Sequence, residues 1–527
     1  MTDSPDAVVI GAGPNGLVAA NVLADAGWSV VVLEAQPDIG GAVRSDRELH
    51  ADFIHDTFSA FYPLGAASPV IKGLGLEEHG LTWARAPAVL GNPLPDGSWA
   101  LLYDDVADTA AALERFAAGD GDQWTEMYDD WQRIGSSLVD ALMSPFPPVR
   151  GGLRTLAKLR GVGGLSYVRM LLEPARQLAE VRFRSEQARL LLAGNAGHSD
   201  IPLDATGSGL MALLLAMLAQ TVGFPVPVGG AGKLSHALGR RLQSKGGEIR
   251  CDSHVDKISV RDGRARAVRL STGETVHAGR AVLADVSAPV LYGGLVDWAD
   301  LPARTRRSMT RFDLDPGTIK VDWALDRPVP WASPPDRMPG TVHIADSTDQ
   351  LVTSLQQLSV HAVPARPFLL MGQMTTSDPT RSPAGTESMW AYTHVPQVVH
   401  SDAGDGGITG SWDSDDGERM ADRMQRRIEQ YAPDFASCVV SRRILAPPDL
   451  EARDESLVGG AINGGTAEIH QQLVFRPIPG SGRPGTAVRG LYLASASAHP
   501  GGGVHGAPGN NAARAALAAH RTGRLRA

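Results

Sequence analysis

Ala7-Val8-Val9-Ile10-Gly11-Ala12-Gly13-Pro14-Asn15-Gly16 decides the fold of this chain. Four apolar residues in a row read as a strand buried on both faces. Gly11, Gly13 and Gly16 then stand at dinucleotide spacing. The first makes a tight turn, the second lets backbone approach a pyrophosphate, and the third packs a helix close to the sheet. A small-residue helix, Leu17 to Ala26, closes at Gly27, and a second apolar run, Ser29 to Leu33, ends at Glu34. The helix start, with Pro14 and Asn15 in it, turns free N–H groups and a positive dipole end toward phosphates. Glu34 is placed to accept both ribose hydroxyls of an adenosine, and it would repel a 2′-phosphate, which argues against NADP. Gly40-Gly41 suits a loop returning over the pyrophosphate, with Arg44 close enough to pair with it. That favours FAD over NAD.

At 527 residues the chain exceeds one core, and two or three domains are expected. The formal charge of −9 and the lack of a basic block make nucleic acid an unexpected partner. Cys251 and Cys438 are the only cysteines. They form no CxxC and no metal quartet, so flavin-disulfide reductase chemistry is excluded and no metal is expected. Only six mostly polar residues precede Ala7, so a cytoplasmic location is expected. The longest apolar stretch, Leu210 to Ala219, is too short to span a bilayer. It reads as a buried helix, or as a greasy lid making a peripheral membrane contact at a channel mouth.

Farther along, Thr109 to Ala118 and Trp124 to Leu142 carry apolar residues at helical spacing, so residues 105–224 read as a mostly helical insertion. After Phe224-Pro225 comes Gly229-Gly230-Ala231-Gly232, a helix to Ser244 and a strand, Glu248 to Cys251. A hairpin is expected about Asp262-Gly263, between Val255–Val260 and Ala265–Leu270. Ala281 to Ala284 forms a short strand ending at Asp285. This block lacks the third glycine of an independent NAD site and reads as the returning half of one FAD domain. Residues 300–450 alternate strand-like runs with Pro/Gly loops, as in a separate antiparallel sheet with helices such as Glu418 to Tyr431. The expected FAD domain is therefore discontinuous: 1–90, 225–300 and 450–527, with 300–450 as the substrate domain.

Leu491-Tyr492-Leu493-Ala494 is the last apolar strand, and it leads into a glycine-dense loop, His499 to Gly506, and an Ala-rich helix. A strand, glycine loop and helix build a second array of N–H groups, suited to negative charge on a reduced isoalloxazine. Taken in order, Gly11 to Leu17, Gly229 to Gly232, Arg476-Pro477 and Leu491 through Gly506 resemble the bacterial phytoene-desaturase-type FAD-dependent oxidoreductases. The nearest branch is that of pyridine nucleotide-disulphide oxidoreductase domain-containing protein 2. The resemblance runs from residue 7 to about 520. It implies an amine-oxidase-like α/β fold with a Rossmann-like FAD-binding domain and an α+β substrate domain. It implies non-covalent FAD held at Gly11, Gly13, Gly16, Glu34, Gly41 and Arg44, with the Val255 backbone on the adenine. Gly502, Gly503, Val504 and Gly506 would lie by the flavin ring. One departure stands out: relatives often carry glycine near position 495, whereas this chain reads Ala494-Ser495-Ala496-Ser497, where side chains would crowd the pyrophosphate.

Single residues leave alternatives open. His505, in the loop with His499, reads as an acid/base or as a hydrogen-bonded loop histidine. Asp52, His55 and Asp56 read as a polar cluster by the substrate, with His55 and Asp56 as catalytic candidates, or as turn and packing residues. Trp390, Tyr392 and His394 alternate along one strand and share a face that lines a cavity or belongs to the core. Arg476 clamps substrate or flavin, or forms a structural ion pair. The favoured function is oxidation of a hydrophobic or conjugated small molecule, with a hydride passing to flavin N5 and then to oxygen or a quinone. The alternatives are an FAD-stabilised partner protein with little turnover and a redox-neutral isomerase working on reduced flavin.

Overall fold

The computed structural model describes residues 4–523. The outermost ends of the expected FAD domain, residues 1–3 and 524–527, lie outside the described residues. Five parallel strands form one sheet in the order Leu491–Leu493, Ala281–Ala284, Ala7–Ile10, Val30–Leu33, Glu248–Arg250. Every residue of the central strands Ala7–Ile10, Val30–Leu33 and Ala281–Ala284 is buried, as expected of a parallel sheet covered on both faces. The helix Pro14–Asp25 covers one face, and the terminal helix Ala507–Arg521 packs against it. Their approach depends on glycine: a Cβ on Gly509 would lie 1.9 Å from the Asn15 carbonyl oxygen. The last strand and helix thus join the sheet begun at residue 7. The hairpin forms as expected, Val255–Arg261 against Arg264–Leu270.

A second sheet of seven strands runs Val439–Leu445, Gly317–Leu325, Glu387–Val395, Leu369–Gln373, Pro339–Ile344, Ala88–Pro93, Trp99–Leu102. It differs from the sequence reading in two respects. Two of its strands come from residues 88–102, before the helical insertion, and Ala88–Pro93 pairs in parallel with Pro339–Ile344. The first difference arises because Ala88–Pro93 is buried throughout and contains Gly91 and Asn92, so it shows none of the alternation that marks a sheet strand. One face of this sheet, with Ile319, Val321, Trp323, Met389 and Ala391, packs into a core beneath the helix Ser414–Glu429.

The helices between residues 106 and 222 share a third core. The apolar stretch Leu210 to Ala219 sits in the helix Ser208–Val222, with Ala212 through Gln220 all buried. This favours the buried-helix reading of that stretch over the lid: Ala212 to Ala219 are committed to protein, and only Leu210 and Met211 are half-buried. Among the described residues no helix is long and apolar enough to cross a membrane.

Candidate active site

A cavity of about 400 Å³ opens at the carboxyl ends of the parallel strands. Gly11, Gly13, Pro14, Asn15, Glu34, Gly41 and Val255 line it, together with Asp285, Asp454 and the segment Ser495–Ser497. This is the crevice in which α/β sheets hold nucleotides. Its floor tolerates no side chains at the glycines. A Cβ on Gly16 would lie 2.2 Å from the Gly11 oxygen, and one on Gly13 would lie 2.7 Å from Asp285 Oδ2. Gly16 stands behind the cavity wall and donates its N–H to Asp285 Oδ2 at 2.6 Å. Asp285 was not expected here. Burial pushes its carboxyl up to about 8, so it is neutral at pH 7. The available signal was its place, one residue beyond the strand that neighbours the glycine turn.

Glu34 is fixed by two backbone donors, Ala12 N–H at 2.7 Å and Gln36 N–H at 2.9 Å. Each carboxylate oxygen keeps a further lone pair for a ribose hydroxyl. Arg44 donates to the Arg453 carbonyl at 2.6 Å, and its Nε is buried without a partner, as is Asn15 Oδ1. Buried polar atoms left unpaired beside a glycine-lined cradle are what a bound dinucleotide would satisfy. The residues present fit FAD. Ser495, Ala496 and Ser497 line the cavity, where Ser497 Oγ donates to the Gly464 carbonyl and accepts from Ala288 N–H, and Ser495 Oγ accepts from Ser497 N–H. The Ser497 hydroxyl is thus spent on Gly464 and Ala288, and Ser495 Oγ accepts within its own loop.

Gly502, Gly503, Val504 and Gly506 lie outside this cavity, in a loop running over the helix Pro14–Asp25, where Gly506 meets Val18. Gly503 is exposed and Val504 adopts a left-handed φ of 54°. His505 is buried, and its ring is tied to its own loop. Nδ1 accepts Ala507 N–H at 3.1 Å, and the ring is also hydrogen-bonded to the Gly502 backbone. Burial lowers its pKa to about 4. His499 donates from Nε2 to the Ser144 carbonyl at 3.0 Å.

His55 and Asp56 are both buried, whereas Asp52 is exposed. Asp56 Oδ1 accepts from Ser45 Oγ and Ala231 N–H, and Oδ2 pairs with Arg381 Nη1 at 2.9 Å. Arg381 also pairs with Asp378 at 3.0 Å, and Asp378 accepts Gly229 N–H. The Asp56 carboxylate thus bolts the 229–232 turn to the segment 378–381, which joins two strands of the second sheet. His55 Nδ1 lies 3.3 Å from Ser388 Oγ, its Nε2 is unpartnered, and burial holds it neutral with a pKa of about 4. Among the described residues no carboxylate lies within 4 Å of Arg476, Asp315 acting on it only from farther off. The guanidinium donates to the carbonyls of Asn463, Gly465, Thr466 and Ala496, which corrects the ion-pair reading and the clamp on a ligand alike.

The sheet register brings together what the sequence kept apart. Trp390 stands opposite Asp322, Tyr392 opposite Lys320, and His394 opposite Thr318. All six share the face turned away from the core beneath Ser414–Glu429. Phe61 meets Trp390 at 5.9 Å between ring centroids, Phe224 meets Phe61 at 6.5 Å, and His198 meets Phe224 at 6.2 Å. Phe61, Tyr392 and His198 are half-buried, whereas Trp390 and His394 are buried. His198 also contacts His343, ring nitrogen to ring nitrogen, at 2.8 Å. Lys320, fully buried, is held by Asp322 and by the Asp56 carbonyl at 2.9 Å.

At the far end of the row, His394 Nε2 lies 2.5 Å from Asp200 Oδ1, both side chains almost wholly buried. Asn463 Nδ2 donates to the other Asp200 oxygen, and Asn463 Oδ1 would be 3.1 Å from a Cβ on Gly502. Asn463 therefore links the pair to the C-terminal glycine loop. Burial alone would lower the His394 pKa, but the Asp200 carboxylate outweighs it and the pKa is raised. Sequence reading missed Asp200, Asn463 and Lys320, since each is a single polar residue in an unremarkable loop or strand.

The NAD(P)-binding Rossmann-like domain family matches residues 9–73. Mouse pyridine nucleotide-disulfide oxidoreductase domain-containing protein 2 is 30% identical over 550 residues, covering 96% of this chain and 92% of that protein. The neurosporene-forming phytoene desaturase of Cereibacter sphaeroides is 25% identical over 543 residues, covering 98% and 95%. Among solved structures, putrescine oxidase bound to putrescine superposes with a TM-score of 0.61 at 18% identity, over 98% of this chain and 99% of that one. That likeness establishes the amine-oxidase fold.

Proposed function

The chain belongs to the family of pyridine nucleotide-disulfide oxidoreductase domain-containing protein 2 and is an FAD-dependent oxidoreductase, and we propose that it oxidises an apolar small molecule lying along the Trp390–Tyr392 face. The carrying observation is that one aromatic face ends in a buried Asp200–His394 pair beside the glycine loop. FAD supplies a two-electron acceptor at N5 for a hydride from a substrate C–H bond. Gly11, Gly13 and Arg44 would hold its pyrophosphate, Glu34 its ribose, Val255 its adenine, and Gly502 to Gly506 its ring, with Gly16 letting the helix close on the glycine turn. The aromatic rings orient the substrate and exclude water. Asp200 takes the proton released from the substrate, with His394 holding it in place. His505 braces the loop, since its ring contacts are already spent there, and Asp56 braces the 229–232 turn. Cys251 and Cys438 sit in different sheets' surroundings with Cys438 buried, so disulfide exchange has no support despite the family's name. We assign to the cofactor unit, among the described residues, 4–87, 225–300 and 450–523, and to the substrate unit 300–450 together with the strands at 88–102, which moves residues 88–90 out of the expected cofactor unit.

The test is anaerobic addition of candidate apolar alkenes and amines to the flavoprotein, followed through the flavin absorbance. Bleaching is expected with a productive compound. His394→Gln should retain FAD but bleach more slowly, with an altered pH profile. If dithionite bleaches the flavin and every apolar compound fails, the reading falls in favour of a partner protein with little turnover. Conversion of a compound only after the flavin is reduced, with no net bleaching, would instead establish the isomerase.

A further inference from the structure

Residues 145–172 carry five cations and no acid, in a chain whose net charge is −9. They form a helix, Val149–Leu159, a turn through Gly163 and Gly164, and a second helix, Leu165–Leu172. One edge of the first helix is packed. Gly151 comes so close that a Cβ would lie 2.7 Å from Ala141 Cα, and Thr155 Oγ1 donates to the Ser137 carbonyl at 3.0 Å. The opposite edge carries Val149, Leu153 and Leu156, which are 64%, 64% and 63% exposed. Their spacing of four and three residues makes one stripe. Leu165, at the start of the second helix, is 87% exposed. Arg154, Lys158, Arg160 and Arg169 are exposed on the same hairpin, Arg154 lying 3.8 Å from Asp140 and Arg169 pairing with Glu173 at 3.1 Å. Contiguous apolar side chains left in water mark an interaction surface.

We propose that this helical hairpin docks the protein on a membrane surface containing anionic lipid. An apolar stripe flanked by cations is the pattern of a helix lying in the interface plane, its cations drawn to anionic head groups. The side chains project outward rather than line a groove, which suits a fluid surface better than a folded partner. A second copy across a twofold axis would set the same cations against themselves. The hairpin is also rooted at the candidate site. The Ser144 carbonyl accepts from His499, the Met143 carbonyl accepts from Asn511 Nδ2 at 3.0 Å, and Phe146 N–H donates to the Gly482 carbonyl. A docked bilayer would therefore lie beside the chain segment that carries the C-terminal glycine loop. The docking stands independently of which substrate the enzyme takes.

The full-length flavoprotein should sediment with phosphatidylglycerol-containing vesicles and far less with pure phosphatidylcholine, and added salt should release it. Leu153→Glu with Leu156→Glu should lower the bound fraction by about tenfold or more, with flavin content and melting temperature unchanged. Arg154→Gln with Lys158→Gln should weaken binding to the anionic vesicles alone. The proposal is overturned if the wild type ignores both vesicles, or if both double variants bind as it does. It is also overturned if the wild type forms dimers or captures an acidic protein through these leucines while ignoring vesicles.

Discussion

In the nucleotide cradle the chain presents mostly backbone, whereas the second sheet's face away from the Ser414–Glu429 helix presents Trp390, Tyr392, His394, Lys320 and Asp322. The cradle works by closeness: glycines remove side chains so that N–H groups and a helix end can reach phosphates. In the function proposed above, the face would work by side-chain chemistry: rings for an apolar body, and buried charges for protons. Backbone close approach is intolerant of any added atom. A side-chain face can change residue by residue and so change substrate, which fits a fold shared with proteins as different as a phytoene desaturase and a putrescine oxidase.

The junction between the two regions should break hardest. Arg381 is fully buried between Asp56 and Asp378, and those carboxylates hold the 229–232 turn. Arg381→Met would leave two buried carboxylates without their cation. Removing one partner of a buried pair costs about 3–5 kcal/mol. Urea unfolding should show a loss of that order, with flavin released in the same transition. A variant of near wild-type stability would mean that the pairing carries no structural load.

The next largest effect contrasts the two regions directly. Gly16→Val drives a branched Cβ toward the Gly11 oxygen, 2.2 Å away. Overpacking of this kind costs about 1–3 kcal/mol, or roughly ten- to a hundredfold in FAD affinity if the cradle bears it. Tyr392→Leu, on the sheet face, should leave FAD affinity unchanged and alter only reduction by substrate. Flavin content after gel filtration reads both. Equal loss of flavin in the two variants would erase the distinction between a backbone site and a side-chain site.

That distinction also explains what was legible in the sequence. The cradle lies within one strand–turn–helix–strand, so Gly11 to Glu34 could be read in order and placed on a parallel sheet. The terminal loop was legible for the same reason. The sheet face is assembled from residues near 61, 200, 320, 390 and 463, which only the fold brings together. Trp390, Tyr392 and His394 were visible as an alternating set, but their partners Asp200 and Lys320 carry no local pattern. His505 and Asp56 were conspicuous in sequence for being polar in special places, and the structure gives both of them contacts that hold loops. Leu210 to Ala219 and residues 149–172 reversed roles for a related reason. The more apolar stretch is buried from Ala212 on, and the more amphipathic one, diluted by arginines, keeps its leucines in water.

The smallest expected effect concerns pH and sharpens the account of the cradle. Asp285 reaches among Gly11, Gly13 and Gly16, where a pyrophosphate would bring negative charge. Burial lifts its carboxyl from an ordinary value near 3.8 to about 8. At pH 7 the folded protein therefore keeps it protonated, while the unfolded chain has it ionised. The sign follows: the folded state binds the extra proton, so its advantage is full below about 3.8 and is lost as pH rises toward 8. A nearby pyrophosphate disfavours the ionised form further. FAD affinity should hold up to about pH 8 and then fall, approaching tenfold per pH unit, as ionised Asp285 opposes the phosphates. Asp285→Asn keeps an acceptor for Gly16 N–H and cannot ionise, so its FAD affinity should stay flat across the same range. Fluorescence titration of apoprotein with FAD at a series of pH values measures this. A wild type and a variant that weaken in parallel above pH 8 would show that some group other than Asp285 carries the alkaline loss, and that the cradle tolerates charge where its glycines tolerate no atoms.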